Sequence, residues 1–472
     1  MASLTPESES HPVATLPFAD AKVDADPKSV ELRLNKRSRR LVTDVGPLGW
    51  LMVDISIAFF AAMLAYSLTP NISADPRHAS ALLFASVFAV CVSACSHIFG
   101  FHDPRHVNDS SVNVWRVAAV VAIALSVTVL EMTTIHFSFV GRYILAITMV
   151  VSFVGMSAIR IIVQHYSESF AQTVCFVGDE IFCQRATKFV QDRKRSFNVR
   201  SLPVEKNLAN WAVEEDVDQV VLDPSRVSRT DDEQLLRCLD QGINILTFPD
   251  FLESNYLMVP VEHIDANWLV LARLDLAHPY YNGLKRLFDV VASVVGLILT
   301  APVLLLAIIA IKIESKGGPA FYSQIRSGRF TRPFRIYKLR TMIEGAEKDG
   351  AKWASASDSR ITKIGKFLRK TRIDEIPQFW NVLKADMSLV GPRPERPEFV
   401  ELLKREIPFY VQRHLVKPGV TGWAQINYPY GASVEDARNK LTYDLYYVKH
   451  SSISLDFQIL LRTVGTIMKG SR

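Results

Sequence analysis

Two adjacent acids in a basic frame are the residues of this chain best placed to do chemistry. They stand in Leu368-Arg369-Lys370-Thr371-Arg372-Ile373-Asp374-Glu375-Ile376-Pro377-Gln378. Neighbouring cations favour the ionised carboxylate and lower its pKa. An ionised Asp374 can attack phosphorus, and Glu375 beside it can hold a divalent cation through oxygen. On a helix the two acids point about 100° apart, so each can address a different partner. A lone Asp-Glu pair is more often the solvated face of a charged helix, but three further elements speak against that here. Tyr337-Lys338-Leu339-Arg340-Thr341-Met342 puts Lys338 and Arg340 on one face of a strand. Gly391-Pro392-Arg393-Pro394-Glu395-Arg396-Pro397 is a basic loop that resists helix formation and suits a phosphate or base clamp. Gln324-Ile325-Arg326-Ser327-Gly328 reads as another basic loop.

Other reactive residue types invite less. His414, His450, Tyr443, Tyr446 and Tyr447 read as packing or interface anchors. Phe379 and Trp380, with Ile376 and Leu383, read as an amphipathic face on a membrane surface. Cys91, Cys95, Cys175, Cys183 and Cys238 form no CxxC pair and read as small buried hydrophobes.

The elements that must position the acids follow from hydropathy and charge. Of 472 residues, 49% are hydrophobic, concentrated before about residue 165 and again over 284–313. The net charge of +6 favours anionic lipid or phosphate partners, and no motif supports nucleic acid. Residues 1–45 are polar and poor in aromatics, which predicts a disordered tail with no h-region of a signal peptide. Four apolar stretches near 47–68, 79–101, 117–137 and 143–163 are each long enough to cross a ~30 Å hydrocarbon core. The basic cluster at 36–40, with Arg105, His106, Arg116 and Arg160, outweighs Arg77 and Arg142, so both ends of the bundle are expected in the cytoplasm. Asp54 and Glu131 lie near or within the apolar spans and are candidates for function.

Residues 170–275 alternate strand and helix patterns, which predicts a parallel sheet. Strands are expected over 174–177, 217–222 and 243–248. Gly178 lacks the partner glycines of a dinucleotide fingerprint, so a structural or regulatory domain is expected. The segment 284–313 has Lys285 and Arg286 at its start, Lys312 and Lys316 at its end, and Pro302 inside. Basic residues at both ends and a proline predict a kinked helix that enters one leaflet and returns.

Much of 281–472 resembles the bacterial sugar transferase family, the polyprenyl-phosphate sugar-1-phosphate transferases that start polysaccharide synthesis. The resemblance is carried by LKRLFDVVAS, SQIRSGR, YKLRTM, LRKTRIDEIPQFWNVLKADMSLVGPRPERPEF, VKPGVTGWAQIN and YDLYYVKH. PERPEF and PYGASVEDAR look like its exopolysaccharide branch. The resemblance implies a multidomain membrane protein of the long form. Its parts would be a cytoplasmic tail (1–45), a four-helix transmembrane bundle (46–165), a Rossmann-like α/β cytoplasmic domain (166–280) and a mostly α catalytic module (281–472) with a re-entrant helix at 284–313. It implies that Asp374 is the nucleophile, Glu375 the magnesium ligand, Arg369 the phosphate-binding arginine, and Pro392 and Arg393 the nucleotide-contacting pair. Lys338 and Arg340 match the basic element, and Lys285, Arg286 and Asp289 match the motif that opens the re-entrant helix; with Arg369, Pro392 and Arg393, the resemblance makes Lys338, Arg340, Lys285 and Arg286 expected substrate-binding residues. The helix break is often Ser-Pro in relatives and is Ala301-Pro302 here, leaving Thr300 as the nearby hydroxyl.

The implied reaction is ping-pong. Asp374 attacks the donor phosphate, nucleoside monophosphate leaves, and undecaprenyl phosphate then takes the sugar phosphate from the aspartyl intermediate. The expected donor is a UDP-sugar carrying glucose or galactose, the expected cofactor is Mg2+, and the expected site is the cytoplasmic face of a bacterial plasma membrane. A homo-oligomer is left open. Two rivals stand beside this: a non-catalytic membrane binding or regulatory protein, opposed by the intact acid pair, and a nucleotide-sugar dehydratase or epimerase, opposed by the lone Gly178.

Overall fold

The structure, a computed structural model, describes residues 47–468 apart from 70–79, 99–109, 137–139, 169–171, 193–196, 203–206, 225–231, 265–278, 315–317, 347–359, 430 and 432. The expected tail, with its basic cluster at 36–40, and Arg77, Arg105, His106 and Lys316 lie outside the described residues.

Helices α1 (Pro47–Ser67), α2 (Ala81–Ile98), α3 (Ser110–Thr134) and α4 (Arg142–Glu168) pack as a ring, α1 and α3 each lying between α2 and α4. Alanines at 58, 62, 65, 85 and 89 line the seams and let the backbones approach closely. Four described helices are long and apolar enough to cross a membrane: Gly49–Ser67, Val114–Thr134 and Arg142–Ile162 in this bundle, and Tyr281–Glu314 beyond it; the second expected span falls short, since α2 is apolar only over Ala81–Ser96. Asp54, a candidate for function near or within the first span, and Arg160, counted among the cytoplasmic cations, meet inside this bundle. Arg160 Nη2 lies 2.7 and 2.8 Å from the two oxygens of fully buried Asp54. Ser96 donates to the same carboxylate at 3.2 Å, and the guanidinium sits 5.1 Å from the Trp50 ring. Arg160 therefore serves as the internal partner of Asp54, which would otherwise be an uncompensated buried charge.

A parallel sheet follows, in the order β2-β1-β3-β4. Its strands are β1 (Gln172–Val177), β2 (Phe197–Ser201), β3 (Gln219–Leu222) and β4 (Asn244–Thr247). Helices α5 (Glu180–Gln191), α6 (Leu208–Glu214), α7 (Asp232–Asp240) and α8 (Phe248–Tyr256) alternate with them. Alternation along the central strands feeds two cores. Val174, Phe176 and Val221 join Val190 and Phe251, while Cys175, Val220 and Leu222 join Trp211 and Cys238. Strand β2 has a mixed, half-exposed pattern that hides it from sequence. At the end of β1, a Cβ on Gly178 would run into the Phe182 ring. Asp179 caps α5 by accepting from Phe182 N at 2.6 Å, so an acid occupies the helix end where a phosphate would need to bind.

Helix α9 (Pro279–Glu314) runs unbroken through Pro302. Thr300 Oγ1 donates to the Gly296 carbonyl at 2.6 Å rather than to the Ile298 carbonyl that Pro302 leaves without a donor. Its central residues Ile298, Leu299, Leu305 and Leu306 are exposed, as lipid-facing residues must be. Both ends of α9 are tied to the residues that follow it. Near the start, Arg286 donates to the Val382 and Leu383 carbonyls at 2.6 and 2.8 Å, and Asp289 accepts from Leu389 N at 3.0 Å. Near the end, Lys312 donates to the Gly318 carbonyl at 3.0 Å and Glu314 accepts from Ile364 N at 3.1 Å.

Those residues build a module from β5 (Phe321–Ser327), β6 (Pro333–Leu339), α10 (Lys363–Lys370), α11 (Gln378–Leu383), β7 (Ser388–Val390), α12 (Pro397–Glu406), β8 (Gly419–Thr421), α13 (Trp423–Asn427), α14 (Val434–His450) and α15 (Ile453–Met468). The expected basic loop at 324–328 is strand β5, paired antiparallel with β6 through the turn at 328–332. The sheet domain docks on α14: Val259 N donates to the Thr442 carbonyl at 2.9 Å, and Lys449 and His450 both meet Glu253.

The bundle yields a prediction. Removing one partner of a buried pair commonly costs about 3–5 kcal/mol, whereas replacing both by apolar residues is often neutral. Asp54→Leu should lower the melting temperature in detergent, and adding Arg160→Met should restore most of it. A double variant no more stable than the single would show that the pair does not hold the bundle.

Candidate active site

The run around the acids is not one helix. Helix α10 ends at Lys370, Arg372 takes a left-handed conformation (φ 58), and Ile373–Glu375 forms a 3-10 turn before α11. At about three residues per turn the two acids diverge by roughly 120°, more than an α-helix would give. Leu368 and Ile373 face the core formed with Ala307, Ile311 and Leu339, which draws the turn inward. Asp374 and Glu375 are consequently each only 7% exposed, which rules out a solvated charged face.

Cations from three elements converge on Glu375. Lys338 Nζ at the end of β6 lies 2.9 Å from Oε1, and Arg393 Nη2 in the loop after β7 lies 2.8 Å from the same oxygen. Arg372 Nη1 completes the group at 3.7 Å. Burial alone would raise the pKa of Glu375, but Arg393, Lys338 and Arg372 overcome it and hold the carboxyl well below its usual range. Burial lowers the pKa of Lys338, with Glu375 opposing.

Asp374 behaves differently. Burial, and then the charge of Glu375, push it up to about 6, against the pull of Lys338, Arg369 and Arg372. The expectation that the basic frame lowers both acids therefore holds for Glu375 and fails for Asp374. The cations are spent on Glu375, and Asp374 Oδ1 is buried with no hydrogen-bond partner. A buried carboxylate oxygen with its lone pairs free is poised to attack an electrophile or to ligate a hard cation.

The remaining candidates divide. Arg369 Nε donates to Thr341 Oγ1 at 2.8 Å, close enough to Asp374 to favour its ionisation. Buried Arg340 packs against Gly318, where a Cβ would strike its guanidinium. Pro392 is buried, and its carbonyl accepts from Gly419 N at 3.0 Å. Lys285 and Arg286 spend their donors elsewhere. Arg286 caps the end of α11, and Lys285 Nζ meets Asp456 at 2.5 Å, Tyr447 OH at 3.2 Å and the Val390 carbonyl at 3.3 Å. They tie α9 to the strand that leads into Pro392 and Arg393.

Of the aromatic and histidine group, Tyr446 and Tyr447 are core residues. His414 is buried, which with Arg413 lowers its pKa to about 3 and keeps it neutral. Phe379 packs on α9 at Gly296 and Trp380 is exposed. Arg413, Asp444 and Asp456 escape a search for reactive clusters, because each is a single charge within an apolar or aromatic stretch. Such a charge on a buried helix face is itself the signal that could find them.

For magnesium, no group of three or more His, Cys, Asp or Glu forms a cage among the described residues. The free Asp374 oxygen beside Glu375 fits an ion held by one or two carboxylates and completed by substrate phosphates and water.

A protonated carboxyl adds to a hydrophobic carbodiimide, giving its proton to the carbodiimide nitrogen. Carbodiimide labelling of Asp374, read by peptide mass spectrometry, should fall as pH rises through about 6, while Glu375 stays unlabelled. Glu375→Gln removes the neighbouring negative charge and should move the Asp374 midpoint lower. Titration of Glu375 rather than Asp374 in this window would refute the asymmetry.

The family model described as bacterial sugar transferase matches residues 280–470. A UDP-N-acetylgalactosamine-undecaprenyl-phosphate N-acetylgalactosaminephosphotransferase of Aeromonas hydrophila is 43% identical over 236 residues, 50% of this chain and 55% of that one. A UDP-glucose:undecaprenyl-phosphate glucose-1-phosphate transferase of Klebsiella pneumoniae is 39% identical over 231 residues, 48% of this chain and 49% of that one. A putative undecaprenyl-phosphate N-acetylgalactosaminyl 1-phosphate transferase of Bacillus subtilis is 50% identical over 133 residues, 28% of this chain and 74% of that one. The chain thus spans about half the length of the first two relatives.

Proposed function

The chain belongs to the bacterial sugar transferase family, and from that premise we propose that it moves a sugar 1-phosphate from a UDP-sugar to undecaprenyl phosphate, as an early step of exopolysaccharide synthesis. The observation that carries the proposal is the asymmetry of the acids: Asp374 has a free, buried oxygen while Glu375 is held ionised by cations. The names of the relatives support both glucose and N-acetylgalactosamine as the sugar, so the earlier expectation of glucose or galactose widens.

In this proposal ionised Asp374 attacks the donor phosphorus that bears the sugar. Uridine monophosphate leaves, and an oxygen of the lipid phosphate later displaces Asp374. Arg369 and Arg393 neutralise charge on the phosphoryl oxygens, and Lys338 with Arg372 keeps Glu375 from repelling them. The lipid phosphate is already anionic, so no base is required. Asp374 and Glu375 would hold magnesium, which when bound adds positive charge at the diphosphate.

The sheet domain is proposed as Rossmann-like, without a dinucleotide. Helix α9 is proposed to enter and leave one leaflet of a plasma membrane, with the module on the cytoplasmic side. Supporting this, both ends of a 36-residue helix bond to one module while its middle presents apolar side chains outward. Straight, such a helix would be about 54 Å long, and a crossing would part its ends by the full ~30 Å core.

Single cysteines introduced at exposed Gly283 and Arg332 should both react with an impermeant reagent from the cytoplasmic side only. Labelling from opposite sides would rule out re-entry. Asp374→Asn should cut uridine monophosphate release by about 10⁴–10⁶ and leave no labelled sugar phosphate on the protein. Glu375→Gln should cost about 10²–10³. Retention of more than about a tenth of the rate by Asp374→Asn would sink the covalent route.

A further inference from the structure

Prolines flank Arg393 on both sides, so Pro392 and Pro394 offer no backbone N–H and the loop's carbonyls depend on outside donors. Gly419 N serves Pro392 at 3.0 Å, and Arg326 Nη1 serves Pro394 at 3.1 Å. The carbonyl of Arg393 itself accepts from Arg413 Nη2 at 3.0 Å. Arg413 stands in the 3-10 turn Tyr410–Leu415, and its Nη1 donates to Tyr410 OH at 2.6 Å. The same Nη2 lies 2.7 Å from Asp444 Oδ2 on the buried face of α14. Arg413 is 6% exposed and Asp444 1%. At the other end of Arg393, the guanidinium reaches Glu375.

We propose that Arg413 and Asp444 are positioning residues for the transfer, fixing where the Arg393 guanidinium meets the donor phosphates without touching the donor themselves. This rests on the function proposed above. Asp444 neutralises Arg413, so the buried guanidinium acts as a frame and adds little charge at the phosphates. The planar fork holds Tyr410, Asp444 and the Arg393 carbonyl together, which a lysine with its single nitrogen cannot reproduce. Without that frame the Arg393 backbone is free to shift, and a shift of about 1 Å at a positioning group can cost on the order of 10² in rate.

The test is a double-mutant cycle on the full chain in lipid nanodiscs, read as uridine monophosphate release from UDP-glucose or UDP-N-acetylgalactosamine. Arg393→Ala should lower kcat/KM about 10²-fold and Arg413→Lys about 10-fold or more. If Arg413 acts through Arg393, the double variant falls within about threefold of Arg393→Ala alone, because coupled sites are not additive. A double loss equal to the product of the single losses overturns the proposal and makes Arg413 merely structural. Should Arg413→Lys fail to fold, Tyr410→Phe and Asp444→Asn take its place in the cycle with the same criteria. An inert wild type overturns the functional reading and the proposal with it, whereas Arg393→Ala as active as an active wild type overturns the proposal alone. Additive losses in an active enzyme overturn the proposal alone.

Discussion

A carboxylate buried at Glu375 must be compensated, and the module is arranged around that requirement. An ion of this size loses several kcal/mol of hydration on burial unless cations replace the water. The compensating groups come from the end of strand β6, from the left-handed residue before the acidic turn, and from the loop after strand β7. No two of these elements are sequence neighbours of the same turn, so the ionised acid fixes where three separate segments meet. Because the positive charge is committed to Glu375, its neighbour Asp374 is left under-compensated, and the pair splits into one firmly ionised acid and one near its titration point. Divergent environments for paired acids are how a site assigns them different tasks.

The second constraint is mechanical. Residues 285, 286 and 289 of α9 grip helix α11 and strand β7, which follow the acidic turn, and α14 reaches β7 through Tyr447 and the loop after it through Asp444 and Arg413. The parallel-sheet domain rests on that same α14 through Glu253 and Val259. The membrane helix, the sheet domain and the acidic turn are therefore joined through well-packed, buried contacts. Elements joined in this way transmit displacement because protein interiors yield little to compression.

How much of this is legible in sequence depends on whether a residue declares itself locally. Asp374, Glu375, Lys338 and Arg393 do, since charge density in short motifs betrays them. The sheet strands near 174–177 and 219–222 do, through the apolar runs 174–177 and 220–222, whereas β2 with its mixed pattern does not. The acidic turn is misread as a helix because Arg372 gives no sign of its left-handed backbone. The strand at 324–327 is misread as a loop because its charge masks its alternation. Lys285 and Arg286 look like ligands, since a cation pair beside a motif reads the same whether it binds phosphate or carbonyl oxygens. Arg413 and Asp444 are 31 positions apart, and neither is informative without the other.

The grip on α9 also has a consequence for how the protein is made. Arg286 and Asp289 bond to residues 96 to 100 positions downstream, and Lys285 to one 171 positions downstream. At a synthesis rate of about 5–20 residues per second, the helix leaves the ribosome roughly 10–30 s before its last partner exists. Until Val382 is made, none of these partners exists to hold its basic start, and a strongly apolar helix of this length is a natural substrate for ordinary insertion across the bilayer. On the re-entrant path proposed above, its final seating is a late event in biogenesis, reached only once the C-terminal helix that supplies Asp456 is complete.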